Sequence, residues 1–162
     1  MKIISVILAR GGSKGIPRKN IIDLNGHPLI QYTIEASLKS NVHETWVSTD
    51  DNKIAEEVKN YGVSVLRRPY SISTDISSSE DALLHFADNI DFDILVFIQP
   101  TSPLLTSQYI NEGIIKMNTH DSVFSAYKEH WQPRWNIETV SGIELSYPVS
   151  WNPLHRPRRQ DV

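Results

Sequence analysis

Short apolar runs alternate along the chain with longer stretches of mixed polarity. The runs lie at residues 3–8, 45–48, 63–66 and 93–98, and each is short enough to be a strand buried by its neighbours. In the stretches between them, apolar residues recur every three or four positions, which is typical of helices that bury one face. The pattern predicts an α/β fold in which helices cover a mostly parallel sheet, with residues 93–98 as a central strand.

The stretches of mixed polarity predict four helices. The first begins near Pro28, a residue suited to a first helical turn, and has Ile30, Ile34 and Leu38 on one face. The other three have equivalent apolar rows, which are Ile54, Ala55 and Val58; Leu83, Phe86, Ala87 and Ile90; and Ile110, Ile114 and Met117. Each row is expected to face the sheet.

Two carboxylates directly follow the second predicted strand. Asp50 and Asp51 are placed to cap the next helix, because a side-chain oxygen there accepts hydrogen bonds from the unpaired N–H groups of the first turn. Asp50 could instead approach a site at the end of its strand. We favour capping for Asp50.

The pattern changes near the C-terminal end of the sequence. A strand is predicted at residues 122–127, and beyond it Trp, Pro and Gly interrupt short β-prone segments, including a possible hairpin across Ser141-Gly142. We therefore divide the chain into an α/β core, residues 1–127, and a small β-rich extension, residues 128–162. The extension is either an association surface or an ordinary β-structure with Trp in its core.

Composition narrows the range of partners. A net charge of -3 gives no general nucleic-acid footprint, and the absence of cysteine excludes disulfides and thiol chemistry. No apolar run approaches the roughly 20 residues that span a bilayer. The sequence therefore predicts no nucleic-acid or membrane partner, and a cytoplasmic location is the default.

One polar segment carries unusual charge. Residues 9–20 follow the first strand and contain three glycines and four cations, which are Arg10, Lys14, Arg18 and Lys19. Glycine lets the backbone turn sharply and approach an anion, while Lys and Arg bind phosphate. Neither the Walker A spacing nor the dinucleotide fingerprint fits these glycines. The segment predicts a polyphosphate site of another kind, the alternative being a solvated basic turn.

This segment and several later ones resemble the CMP-sialic acid synthetases (acylneuraminate cytidylyltransferases), particularly their animal-type members. The similar segments, in order, are residues 8–20, 47–50, 68–79, 99–104, 121–125 and 156–161. The resemblance implies a Rossmann-like three-layer nucleotidyltransferase fold in which residues 128–162 form a dimerisation element. A homodimer or a dimer of dimers is therefore expected.

The resemblance also implies an activity and a set of site residues. The anomeric hydroxyl of a sialic (nonulosonic) acid would attack the α-phosphorus of CTP and release pyrophosphate. The implied catalytic residues are Arg10, Lys19 and Gln99; the implied nucleotide-binding residues are Arg10, Gly11, Gly12, Ser13, Lys14, Asn20, Arg68, Ser77 and Ser79; and the implied sugar-binding residues are Gln99, Arg158 and Arg159. Arg68 could alternatively be an ordinary solvated loop residue.

The resemblance implies Mg²⁺ as the cofactor, but it assigns no metal ligand within this sequence. In the family, Mg²⁺ is held by an Asp-x-Asp segment beyond the region that residues 156–161 match, and no such segment follows here. Two alternatives stay open: a CTP-binding or dimerisation fragment without turnover, and a cytidylyltransferase for another acid sugar. An animal-type member would be nuclear.

Overall fold

The computed structural model describes residues 1–126 and the two strands Trp135–Val140 and Ile143–Pro148. The chain divides into two compact units, Met1–Phe124 and Ser125–Val162. The strands of the first unit are β1 (Ile3–Leu8), β2 (Asp23–Leu24), β3 (His27–Pro28), β4 (Glu44–Thr49), β5 (Ser64–Arg67) and β6 (Ile94–Ile98). Its helices are α1 (Leu29–Leu38), α2 (Asn52–Lys59), α3 (Ser79–Asn89) and α4 (Ser107–Lys116), with short 3-10 helices at Lys19–Ile21 and Tyr70–Ile72.

The main sheet has the strand order β5-β4-β1-β6, and all its pairings are parallel. This confirms the α/β fold with a parallel sheet. Among the described strands β6 lies at an edge, so the prediction of a central strand there was wrong for this part of the chain. An apolar run does not by itself say how many neighbours a strand has. Phe97 on β6 is 39 % exposed, whereas the β1 side chains between two neighbours are almost all buried.

Helices cover both faces of this sheet. On one face Ile7 of β1 packs in a cluster with residues of α1, α2 and α4, including Ile30. On the other face Ile4 and Val6 pack against Phe86 of α3. Because successive strand residues face opposite sides, one strand contributes to both clusters. The three-layer arrangement is therefore confirmed.

The first helix buries Ile30 and Ile34 as predicted, but its last predicted apolar contact is not made. Leu38 is 49 % exposed, and Ser37 is buried in its place. The Ser37 hydroxyl forms hydrogen bonds with Ser5 Oγ at 2.6 Å and Thr45 Oγ1 at 2.9 Å, so strand hydroxyls complete a polar contact where an apolar one was expected. Counting apolar residues alone could not reveal this contact.

The third helix begins at a well-formed N-terminal cap. Ser78 and Asp81 form a capping box, in which each side chain accepts a hydrogen bond from the other's backbone N–H. Ala87 was expected on the buried side of this helix but is exposed. No helix in the described part of the chain is both long and apolar enough to cross a membrane.

The second unit contains the strands β7 (Trp135–Val140) and β8 (Ile143–Pro148). They pair in antiparallel fashion, with Val140 opposite Ile143, which confirms the hairpin across residues 141–142.

The strand predicted at residues 122–127 is not found. Residues 122–126 are irregular, so the prediction was wrong for them, and residue 127 lies outside the described residues. Phe124 is 86 % exposed, and no described strand pairs with this segment.

We expect Phe86→Ala to lower the free energy of unfolding by about 3–5 kcal/mol, because it empties the centre of the cluster under α3. The Phe86 ring lies edge-on to Trp46 and stacked against Phe92. Leu84→Ala is the matched control, since Leu84 on the same helix is 59 % exposed and should change the free energy by less than about 0.5 kcal/mol. Urea unfolding measures both, and equal losses would contradict the assigned helix face.

Candidate functional site

Three charged side chains meet where adjacent parallel strands end. Leu8, Ser48 and Leu66 are aligned across β1, β4 and β5. The residue two positions after each of these is charged: Arg10 after Leu8, Asp50 after Ser48 and Arg68 after Leu66. Burial is the main cause that lowers the pKa of Arg68, the charge of Arg10 lowers it further, and the charge of Asp50 opposes both. Arg10 and Asp50 therefore both lie within electrostatic reach of Arg68.

The segment that follows β1, residues 10–20, is called the basic loop here. Its Gly11 N–H donates a hydrogen bond to Asp50 Oδ1 at 3.0 Å. A Cβ on Gly11 would lie 2.5 Å from Asp51 Oδ2, so only glycine fits at this position. The N-terminal end of the basic loop is thus held against both carboxylates that follow β4.

Asp51, and not Asp50, caps the second helix. Its Oδ1 accepts hydrogen bonds from the N–H groups of Lys53 and Ile54 at 2.7 and 3.1 Å. The preferred prediction for Asp50 was therefore wrong, because the residue next to the helix is in reach of those N–H groups while Asp50 binds Gly11. The alternative, that Asp50 approaches the site from the strand end, is the arrangement observed.

The C-terminal end of the basic loop is tied back to its start. Asn20 is buried, and its Nδ2 donates a hydrogen bond to the carbonyl of Arg10 at 2.9 Å. Arg18 adopts a left-handed conformation with φ 49°, and its Nε lies 3.8 Å from Asp51 Oδ2. These contacts close residues 10–20 into a loop whose two ends meet.

The middle of the basic loop is open. A Cβ on Gly12 or Gly15 would meet nothing within 4 Å. The backbone N–H groups of Gly12, Lys14 and Gly15 form no hydrogen bond with any described residue. Lys19 forms no ion pair with any described residue. Donors and a cation are therefore left available to an anion.

A single carboxylate lies across two of the loop cations. Asp75 Oδ1 is 3.2 Å from Arg10 Nη2, and Asp75 Oδ2 is 2.8 Å from Lys14 Nζ. Arg10 Nη1 also donates a hydrogen bond to the Thr74 carbonyl at 2.7 Å. The hydrogen bond from Lys14 is the largest cause that lowers the pKa of Asp75, and Arg10 adds to it.

Asp75 belongs to a second loop, residues 68–78, which is called the serine-rich loop here. Arg68 is 7 % exposed, so it is not a solvated residue, and its Nε donates a hydrogen bond to Ser73 Oγ at 3.0 Å. Ser77 Oγ accepts a hydrogen bond from the Thr74 N–H at 3.1 Å. The loop is thus braced by its own side chains.

Ser79 and Gln99, both predicted as site residues, have a different setting. Ser79 is the first residue of α3, Gln99 directly follows β6, and both are exposed. Neither has a side-chain hydrogen bond to another described residue. The predicted sugar-binding residues Arg158 and Arg159 lie outside the described residues.

The sequence-based interpretation missed Asp75 and Arg67, and it gave the site role of Asp50 only as the less favoured alternative to helix capping. Asp50 and Asp75 compensate the cations, and Arg67 holds the backbone that follows β4, donating hydrogen bonds to the carbonyls of Asp50 and Asp51, each at 3.0 Å. A signal for Asp50 was present, because it stands two residues past the aligned strand ends, as Arg10 and Arg68 do. The sequence gives no comparable signal for Asp75, whose partners are about 60 residues away in sequence.

The described residues do not form a metal site by themselves. Within residues 1–126 and the β7–β8 hairpin, no group of three or more His, Cys, Asp or Glu side chains is placed to hold a metal ion. Asp50 and Asp75 are directed at the basic loop. The clustered cations and open N–H groups are instead suited to binding an extended anion such as a polyphosphate.

Comparison with known proteins gives a consistent family assignment. A family model described as cytidylyltransferase matches residues 4–139. N-acylneuraminate cytidylyltransferase A of Danio rerio is 42% identical over 163 residues, covering 98% of this chain and 38% of that protein. N-acylneuraminate cytidylyltransferase of Streptococcus agalactiae serotype V is 40% identical over 125 residues, covering 75% of this chain and 30% of that protein. The chain thus spans well under half the length of these relatives.

Solved structures agree on the fold. CMP:2-keto-3-deoxy-manno-octonic acid synthetase, in a complex with CTP, aligns with a TM-score of 0.67 and 27% identity, over 76% of this chain and 50% of that one. A cytidylyltransferase from Leptospira borgpetersenii aligns with a TM-score of 0.60 and 26% identity, over 71% and 48%. These similarities confirm the predicted nucleotidyltransferase fold.

We expect Gly11→Ala to lower the free energy of unfolding by about 1–3 kcal/mol, because its methyl group would overlap the Asp51 side chain. Gly12→Ala is the control: it faces open space without a positive φ and should shift the free energy by less than about 1 kcal/mol. Thermal unfolding without ligand measures both variants. If Gly12→Ala proved as costly as Gly11→Ala, the described path of the basic loop would be wrong.

Proposed function

The chain belongs to the cytidylyltransferase family, and from that premise we propose that its basic loop binds the triphosphate of CTP in an enzyme that makes a CMP-sugar. The reaction transfers CMP to the anomeric hydroxyl of a sialic (nonulosonic) acid. A bond forms between the hydroxyl oxygen and the α-phosphorus, the bond from that phosphorus to the bridging oxygen breaks, pyrophosphate leaves, and the hydroxyl proton is released. The proposal depends chiefly on one observation, the open cationic loop at the carboxyl edge of the sheet.

The details of the basic loop support a triphosphate ligand. The N–H groups of Gly12, Lys14 and Gly15 are available as donors, whereas the Gly11 N–H is already bound to Asp50. We therefore revise the role of Gly11 from a direct phosphate contact to the anchor of the loop. Lys14, between the two open glycines, and Lys19, after them, supply positive charge.

Charge also supports the transfer step. As the bond to the leaving pyrophosphate breaks, negative charge builds up on the β-phosphate, and fixed cations near it stabilise the transition state more than the ground state. Arg10 and Lys14 are placed for that role at the end of β1. Arg68 is a buried guanidinium beside Arg10, which suits it to the nucleotide rather than to solvent.

A sialic acid is the acceptor that we favour. The relatives from Danio rerio and Streptococcus agalactiae are both named N-acylneuraminate cytidylyltransferases. Gln99 stands where the resemblance gives the eight-carbon acid-sugar enzymes an Asp. Within the proposal, Arg158 and Arg159 contact the sugar carboxylate, the protein is a homodimer or a dimer of dimers, and its location is cytoplasmic, or nuclear if it is an animal-type member; all three remain predictions.

Mg²⁺ is the proposed cofactor, because enzymes of nucleotidyl transfer generally depend on a divalent metal. The residues described here do not fit a complete site for it, since Asp50 is hydrogen-bonded to Gly11 and Asp75 is paired with Arg10 and Lys14. This disagreement favours one second candidate, a chain that binds CTP without turning it over.

We expect Arg10→Ala and Lys19→Ala each to weaken CTP binding about 10- to 100-fold, because each removes one charge-assisted hydrogen bond to phosphate. Lys53→Ala is the matched control, because Lys53 is an exposed cation on α2 and should leave affinity unchanged. Titration calorimetry with CTP, UTP and ATP measures all of them. Wild-type affinity in both loop variants would contradict the triphosphate assignment, and equal binding of ATP or UTP would contradict the base assignment.

A second assay separates the candidate reactions. Pyrophosphate release is measured with CTP, Mg²⁺ and a panel of nonulosonic and eight-carbon acid sugars. We expect release with a sialic acid in a protein of the relatives' length. Release only with an eight-carbon acid would identify another acid-sugar cytidylyltransferase, and CTP binding without release with any sugar would select the binding fragment.

A further inference from the structure

Two of the cations that we assign to the triphosphate, Arg10 and Lys14, are already paired with a carboxylate of the chain itself. Asp75 contributes one carboxylate oxygen to Arg10, at 3.2 Å, and the other to Lys14, at 2.8 Å. A carboxylate that bridges an Arg and a Lys presents its two oxygens as a phosphate group does. Asp75 thus occupies the position in which phosphate oxygens are expected.

The contact involves backbone as well as side chains. Arg10 donates a hydrogen bond to the Thr74 carbonyl, and Thr74 is in turn held by Ser77 through its N–H and its hydroxyl. The tip of the serine-rich loop is therefore fixed against the basic loop. The Asp75 side chain is 40% exposed, so a solute can reach it, unlike a salt bridge sealed in a core.

We propose that Asp75 is an internal competitor of the nucleotide, which holds Arg10 and Lys14 in the ligand-free chain and is displaced when CTP binds. This inference rests on the proposed function, because it concerns the same cations. A carboxylate and a triphosphate cannot share these cations closely, since like charges at such distances repel. The carboxylate therefore leaves as the phosphates arrive.

Displacement couples nucleotide binding to movement of the serine-rich loop. When Arg10 turns to the phosphates, the Thr74 carbonyl also loses its donor, so residues 74 and 75 lose their contacts with the basic loop together. The apparent affinity for CTP then equals the intrinsic affinity multiplied by the fraction of molecules in which Asp75 is unpaired. Because both ion pairs are partly exposed, the reduction is modest, about 2- to 10-fold.

Asp75→Asn tests this directly, because it keeps the shape of the side chain and removes the competing charge. We expect it to bind CTP and inorganic tripolyphosphate about 2- to 10-fold more tightly than the wild type. The matched control is Glu80→Gln, which removes one negative charge five residues away, where no ion pair is formed with a described residue. It should change both affinities by less than twofold.

Salt gives an independent reading of the same competition. Ion pairs between partly exposed groups are screened at high ionic strength. We therefore expect the ratio of wild-type to Asp75→Asn dissociation constants to fall toward one as the salt concentration rises from about 0.05 to 0.5 M. Unchanged or weaker binding by Asp75→Asn at low salt, or an equal gain in Glu80→Gln, overturns the proposal.

A measurement on the wild type covers the case in which Asp75→Asn folds poorly. The Asp75 carboxyl is titrated by NMR in the free chain and in the chain saturated with tripolyphosphate. We expect a pKa below the ordinary value in the free chain and a rise when the anion binds, because Lys14 and Arg10 are withdrawn. A pKa that does not rise contradicts displacement.

The outcomes also separate this inference from the proposed function. If the wild type binds CTP and Asp75→Asn shows the same affinity, the competition is refuted while CTP binding stands. If both proteins bind tripolyphosphate but not CTP, the nucleotide assignment is refuted while the tripolyphosphate titrations still decide the competition. If neither anion binds, both proposals are refuted.

Discussion

Positive charge concentrated at one edge of a parallel sheet is the constraint on which this site depends. Arg10 and Lys14 follow β1 whereas Arg68 follows β5, far away in sequence, and strand register brings the ends of these strands to the same edge. Such a cluster repels itself unless anions lie between its members. In the ligand-free chain, Asp50 and Asp75 supply that compensation, and Asp50 fixes the backbone of the basic loop as well. The geometry for binding an anion is thus present before the anion arrives.

The two carboxylates have unlike roles because their surroundings differ. Asp50 accepts a backbone N–H and stands at the end of a strand whose position is set by the sheet. Asp75 lies on a loop that is held by hydroxyl groups, and its ion pairs with Arg10 and Lys14 are made to the open basic loop. A ligand can replace the second set of contacts without disturbing the first. Asp50 thus keeps the shape of the site, while Asp75 can be exchanged for another anion.

Much of this architecture was predictable from the sequence, and the exceptions have physical causes. The buried strand Ile3–Leu8 and the glycine-rich loop after it were evident because apolar runs and Gly spacing are local signals. The exposure of Leu38 was not, since Ser37 finds hydroxyl partners on β1 and β4 that only the folded chain brings near. Asp51 caps the helix and its neighbour Asp50 binds the basic loop, and capping preferences cannot distinguish between two adjacent Asp residues. Asp75 was missed because its ion pairs cross between two loops far apart in sequence.

The central claim is that the open basic loop receives the triphosphate of CTP, and a structure of the chain crystallised with CTP tests it most directly. The account predicts phosphate oxygens within hydrogen-bonding distance of the Gly12 and Gly15 N–H groups and of Lys19, with the Asp75 carboxylate moved away from Lys14. Phosphates bound elsewhere on the sheet, or a nucleotide in place while the bridge from Asp75 to Arg10 and Lys14 stays intact, would contradict it.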